Sequence, residues 1–271
     1  MNRFKMIFGY VLGFICSCLL TLLAILVVFK INVFNQDYIL SALDKNNYYK
    51  DVYDESLKDA KNSLLSSGLD ESVLEGLYSS ADVERDIKNY IASIYSGSKA
   101  KIETDTIKNR LNNNIDKYLK DKNLEVTDGK SLDAYIDGIL KIYDDSIDFY
   151  GYFDDYIISF VGLCKYIDLF IGILAIVVSC LYVVLRYYLH KKYLGVMFLS
   201  AGFMLLYWRY FIYSGIDFKN ITIISDSFSN VIRDVLADVG SNITIIAILF
   251  IIISVLLNIM SSMMKVKRIK R

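Results

Sequence analysis

Four long apolar runs mark the chain, and one long amphipathic stretch separates the first from the other three. Ile7 to Phe29 carries no charge over 23 residues. At 1.5 Å per residue it reaches roughly 34 Å, enough to cross a bilayer with some tilt. Leu169 to Leu185 is a second uncharged run, near the ~17-residue minimum for a span. It follows Lys165 and Asp168 and ends on Arg186, His190, Lys191 and Lys192. Leu194 to Tyr213 and Ile243 to Met264 supply the third and fourth runs. Gly9 and Gly13 place two small residues on one face of the first span, an ordinary helix-packing signal.

Between the first two runs the apolar residues recur at helical spacing. Asn47 to Ser67 reads as a helix carrying Val52, Leu57, Ala60, Leu64 and Leu65 and stopped by Gly68. Asp70 caps a short turn through Val73, Leu74 and Leu77. Ser79 with Asp82 forms a capping box ahead of Val83, Ile87, Tyr90, Ile91 and Ile94, and Gly97 ends that helix. Thr104 is positioned to cap a helix with Ile107, Leu111, Ile115, Tyr118 and Leu119. Gly129 and Ser131 precede another with Leu132, Tyr135, Ile136, Ile139, Leu140 and Tyr143, which is expected to continue through Phe153 into the second span. No stretch alternates at period two, so no sheet is expected. In residues 214–242, Phe228, Val231, Ile232, Val235, Leu236 and Val239 share one face. They predict a separate amphipathic helix lying on the membrane or against the polar domain.

Composition turns this pattern into a topology. The chain has 271 residues, 55% of them hydrophobic, and no proline. That is too apolar for a soluble domain, and nothing forces a helix to kink. The abundance of Ile, Lys, Asn and Tyr points to an AT-rich genome and a bacterial source. The net charge of zero is the average of two unlike parts: residues 31–157 hold 25 acidic residues against 15 basic ones. The segments that flank the spans on the opposite side hold Arg3, Lys5, Arg186, Lys191, Lys192, Lys265, Lys267, Arg268, Lys270 and Arg271 and no acid. Because Lys and Arg stay on the cytoplasmic side, both termini are expected inside and residues 31–155 and 214–242 outside. The expected class is an all-α membrane protein: four transmembrane helices with a helical extracytoplasmic domain inserted between the first and second spans. Its parts are 1–34 (head and first span), 35–155 (outer domain) and 156–271 (spans two to four, the amphipathic loop 214–242 and the basic tail 265–271). Cys16, Cys18, Cys164 and Cys180 lie in or beside apolar runs, so the outer domain has no disulfide frame.

Candidate chemistry is sparse. Asp168 and Arg209 lie near the outer ends of the second and third spans, at depths that allow an intramembrane ion pair. Asp144, Asp145 and Asp148, with Asp154 and Asp155, form an acidic cluster whose oxygens would suit a hard cation, without calcium-loop spacing. His190 is the only histidine and has no acid beside it, which excludes a triad or a zinc site built on histidine pairs. The tail Lys265, Lys267, Arg268, Lys270 and Arg271 fits anionic lipid headgroups. No phosphate-binding or dinucleotide loop is present, so no cofactor is expected, and no nucleic acid either. The bilayer is the first partner. A protein partner or self-association through the tyrosine-rich outer domain is the second.

Two functions fit. One is a non-enzymatic envelope adaptor or binding protein acting through its outer helical domain. The other is a transporter subunit. The order of one span, a large polar domain and three further spans resembles the permeases of macrolide-exporter and cell-division ABC systems in topology alone. That resemblance implies a coupling helix in the loop Arg186 to Tyr193, which is short, and an outer domain with strands, which the periodicity here does not predict.

Overall fold

The computed structural model describes residues 3–65, 68–98, 102–124, 129–148, 159, 162, 166–189, 191–215 and 226–269. Among these every regular element is helical and there is no strand. In chain order they are α1 (Arg3–Asn32), α2 (Gln36–Lys45), α3 (Tyr48–Leu64), a 3₁₀ turn (Glu71–Leu74), α4 (Ser80–Ser96), α5 (Asp105–Lys122), α6 (Gly129–Ile147), α7 (Ile167–Val184), α8 (Lys191–Gly215) and α9 (Asp226–Ile269). Four of them, α1, α7, α8 and α9, are long and apolar enough to cross a membrane. The expected run of α6 through Phe153 into the second span falls outside the described residues, as does residue 190.

The chain divides into two compact units. The first comprises Met1–Ile39, Cys164–Thr222 and Ile232–Arg271, and contains the four apolar helices. Here α1 packs against α7 and α8. Cys16, Leu20, Val178, Leu185, Tyr193, Leu194, Met197 and Ala201 form one buried cluster. Ala24, Val28, Leu205, Val239, Ile243 and Ala247 form a second. In lipid there is no hydrophobic gain in bringing apolar helices together, so close approach through small residues and internal hydrogen bonds must hold them. A side chain on Gly9 would meet the ring of Tyr193 at 2.6 Å, and one on Gly195 would meet the amide of Asn258 at 2.7 Å. Ser254 donates to the carbonyl of Gly195 at 2.6 Å, and Asn242 donates to Asn32 Oδ1 at 3.3 Å. Leu169, Phe170, Ile173 and Ile176 of α7 are exposed, an apolar side of the kind a membrane-spanning helix presents.

The second unit, Leu40–Leu163 with Ile223–Val231, is polar outside and apolar within. Its core draws Val52, Ala60 and Leu64 from α3, Val83, Ile87, Ile91 and Ile94 from α4, Ile107, Leu111 and Ile115 from α5, and Ile136, Ile139, Tyr143 and Ile147 from α6. Each aliphatic side chain buried this fully contributes about 1.5–3 kcal/mol. Tyr78 packs at a tilt against Tyr143 with ring centroids 4.7 Å apart and donates its hydroxyl to Ser56 at 3.2 Å.

Helix ends follow local chemistry closely. Ser79 and Asp82 make the complete capping box, Asp70 accepts from the amide of Ser72, and Gly97 ends α4 at φ 77°. Gly68, at φ 73°, follows α3. Three expectations need correction. Thr104 precedes α5 but makes no capping hydrogen bond with its side chain. Leu65, placed on the apolar face of α3, is 87% exposed, because the helix ends at Leu64 and only Leu64 turns inward. The amphipathic segment of residues 214–242 is not a separate helix on the membrane. From Asp226 it is the first part of α9, which runs unbroken for 44 residues. Val235, Val239 and Ile243 are buried within the first unit, and Phe228 packs on Tyr48 in the second. The apolar face is consumed by protein contacts. Gly240 does not interrupt the helix; it leaves room for the Tyr213 ring, whose hydroxyl donates to the carbonyl of Leu236 at 2.6 Å.

Candidate functional site

A cleft lies inside the polar unit, between α4, α5 and α6, with a volume of about 510 Å³. One wall is α4. Its residues Asp82, Arg85, Asp86, Asn89 and Ser93 fall three or four apart and so share a face. The lining also includes Thr106 and Arg110, four apart on one face of α5, and Glu103, which precedes that helix. Tyr143 of α6 completes it.

Hydrogen bonds fix most of this lining. Arg85 donates from Nε to Asp86 at 2.9 Å and from Nη1 to Asp82 at 3.2 Å. The other oxygen of Asp86 accepts from the Tyr143 hydroxyl at 2.7 Å. The other oxygen of Asp82 accepts from the backbone and hydroxyl of Ser79 at 3.0 and 2.9 Å. Arg110 donates to the carbonyl of Leu77 at 3.1 Å, and its Nη1 lies 3.6 Å from Asp82. Electrostatics follow. Burial raises the Asp82 carboxyl, but the Ser79 hydrogen bonds and the two guanidiniums outweigh it, and the group stays below the usual carboxylate range. Burial first, then the bond to Asp86, pushes the Tyr143 phenol up, so it remains a neutral donor. Ser93 donates to the backbone of Tyr90 at 2.7 Å.

The residues singled out from sequence fall elsewhere. Asp168 pairs with Lys30 of α1 and not with Arg209. Arg209 instead lies over the Tyr213 ring, 5.5 Å from its centroid, in a belt with exposed Tyr207, Trp208 and Tyr210. The ion pair therefore joins the last turn of α1 to the first turn of α7. Lys30 was visible in the sequence at the matching depth, but nothing in the periodicity ranks it above Arg209. Asp144, Asp145 and Asp148 do not converge: among the described residues no three His, Cys, Asp or Glu side chains are grouped to hold a metal ion. Asp148 accepts from the Tyr90 hydroxyl at 2.6 Å, and Asp145 lines a separate recess of about 180 Å³. Lys265, Lys267 and Arg268 belong to the last turns of α9. Asp154, Asp155, His190, Lys270 and Arg271 lie outside the described residues.

Burial, then the charges of Asp148 and Asp145, hold the Asp144 carboxyl above the usual carboxylate range. A group raised in the folded state favours folding below its unfolded value near pH 3.9, and that contribution disappears as pH rises through the folded value. At neutral pH the three carboxylates only repel. Asp144→Asn is therefore expected to stabilise the chain at pH 7 by less than about 1 kcal/mol, because water screens the group, which a slightly higher melting temperature would show. The gain should vanish near pH 4. A loss of stability at pH 7 would show that the carboxylate has a favourable partner.

The cleft escaped sequence reading because its polar residues at helical spacing look the same as a solvated helix face. No family model matches the chain, and comparison with curated proteins and with solved structures gives no match either.

Proposed function

We propose that this chain is a non-enzymatic, multi-pass protein of a bacterial cell membrane, an envelope adaptor or binding protein whose helical unit lies outside and carries recognition. Four apolar helices anchor it. The basic residues that flank them orient both termini to the cytoplasm and residues 31–155 to the exterior. The observation that carries the reading is the cleft of about 510 Å³, a concavity of small-molecule size whose lining offers charges and hydrogen bonds. The runner-up, a permease-like transport subunit, gains nothing from the connection between α7 and α8. A π-helical turn, Leu185–Leu189, leads almost directly into Lys191 and leaves no room for a coupling helix.

The test is topological and biochemical together. In a chain freed of native cysteines, Ser98→Cys should react with an impermeant thiol reagent on intact cells. Lys192→Cys should react only after permeabilisation. Chain purified from native membranes should carry no stoichiometric ATPase. Labelling of Lys192→Cys from outside would reverse the orientation, and a co-purifying ATPase would replace the adaptor reading with transport.

A further inference from the structure

We infer that the cleft binds a small zwitterion of the amino-acid or short-peptide class, with the ligand carboxylate on Arg110 and its ammonium on Glu103. This rests on the helical unit being the binding part of the chain, and it names what that unit takes.

Five charged side chains line the cleft, three carboxylates and two guanidiniums. Three of the five are already committed. Arg85 bridges Asp82 and Asp86, and the remaining oxygens of those two acids accept from Ser79 and Tyr143. Two remain available. Glu103 is exposed and makes no hydrogen bond or ion pair with any described residue. Arg110 gives one N–H to the carbonyl of Leu77 and lies in an ion pair with Asp82 at 3.6 Å, a distance too long for a hydrogen bond, so its other donors stay open. A guanidinium has five donors in a planar fork, so most of Arg110 is free to grip a carboxylate in bidentate fashion. Asn89 and Thr106, both exposed in the same lining, add an amide and a hydroxyl.

Charge arithmetic selects the ligand class. A simple anion entering the cleft meets one more carboxylate than guanidinium. A simple cation meets Arg110 with nothing to offer it. An apolar ligand would strip water from Glu103 and from the open donors of Arg110 without replacing those contacts. A dipolar molecule satisfies both at once. The volume of about 510 Å³ falls within the ~300–1,000 Å³ typical of small-ligand sites. Ile102 and Ile107 give a small side chain an apolar surface to rest on.

Three probes of nearly equal size separate the contributions: the dipeptide Ala-Ala, N-acetyl-Ala-Ala, which lacks the ammonium, and Ala-Ala amide, which lacks the carboxylate. Each is titrated calorimetrically into the full-length protein in lipid nanodiscs. Ala-Ala should bind, and each blocked form should bind on the order of tenfold more weakly, the loss of one charge-assisted contact. Glu103→Gln should weaken Ala-Ala by about the same factor and should abolish the difference between Ala-Ala and its N-acetyl form. Arg110→Gln should do the same for the amide. Because Arg110 also supports the Leu77 carbonyl, Glu103→Gln is the decisive variant: it removes no hydrogen bond or ion pair among the described residues. Absence of heat with Ala-Ala at millimolar concentration overturns the inference. So do equal affinities for the three probes, or a Glu103→Gln protein that still discriminates against the N-acetyl form. These titrations use purified protein and do not depend on orientation. Failure here with Ser98→Cys labelled from outside removes the zwitterion and leaves the outer binding unit; the converse result removes the outer location and leaves the ligand.

Discussion

Tyr143→Ala is expected to destabilise the polar unit strongly and lower its unfolding transition well below that of the wild type. The ring is fully buried, packs at a tilt against Tyr78 with centroids 4.7 Å apart, and lines the cleft. Truncating a buried aromatic costs about 3–5 kcal/mol, through lost burial and the cavity left behind. A domain of this size has on the order of 5–15 kcal/mol in total. The hydroxyl adds a separate contribution, since it donates to Asp86 at 2.7 Å in a half-buried site. Tyr143→Phe keeps the ring and removes that bond, at a cost of about 1.5–3 kcal/mol for a hydrogen bond to a charged acceptor. The measurement is limited proteolysis of the full chain in detergent across a temperature ramp, following cleavage within residues 40–148. Alanine should open the unit well below the wild-type transition, and phenylalanine should fall between the two. If the phenylalanine variant is as unstable as alanine, the hydroxyl and not the ring organises the core. If both melt like wild type, Tyr143 is peripheral.

Gly202→Val is expected to disrupt the packing of α8 on α9. A β-carbon at Gly202 would lie 2.8 Å from Ile251 Cγ1 and 3.0 Å from the carbonyl oxygen of Ala247. A side chain can rotate away, but a backbone carbonyl inside a helix cannot. The neighbours Ala201, Leu205 and Ala247 are fully buried, so the helices must separate to admit the extra methyl groups. Overpacking of this kind costs about 1–3 kcal/mol. In lipid, little apart from close contact holds the helices together. Gly172 of α7 supplies the control, because a β-carbon there would meet nothing within 4 Å. Thermal aggregation in mild detergent should fall by several degrees for Gly202→Val and scarcely change for Gly172→Val. Equal behaviour of the two would mean that α8 and α9 do not approach at Gly202 as described.

Both predictions concern contacts that no local pattern specifies. What the sequence by itself determined is what lies within a few residues along the chain. Uncharged runs long enough for a bilayer mark four helices. The Ser79–Asp82 box starts α4 and Gly97 stops it, because the atoms involved are three or four residues apart. The spacing of Val83, Ile87, Ile91 and Ile94 names the buried face of that helix. Tertiary structure decided everything that depends on how helices rotate and slide against one another. It chose Lys30 over Arg209 as the partner of Asp168, although both are basic and at a compatible depth. It fused the amphipathic segment to the fourth apolar run, since without proline nothing in the chain separates them and Val235, Val239 and Ile243 find protein to pack on. It also brought Glu103 and Arg110 into one lining with the polar face of α4. Helical period reports which residues share a face. It carries no information on which other face that one will meet, and a cleft exists only where two of them do.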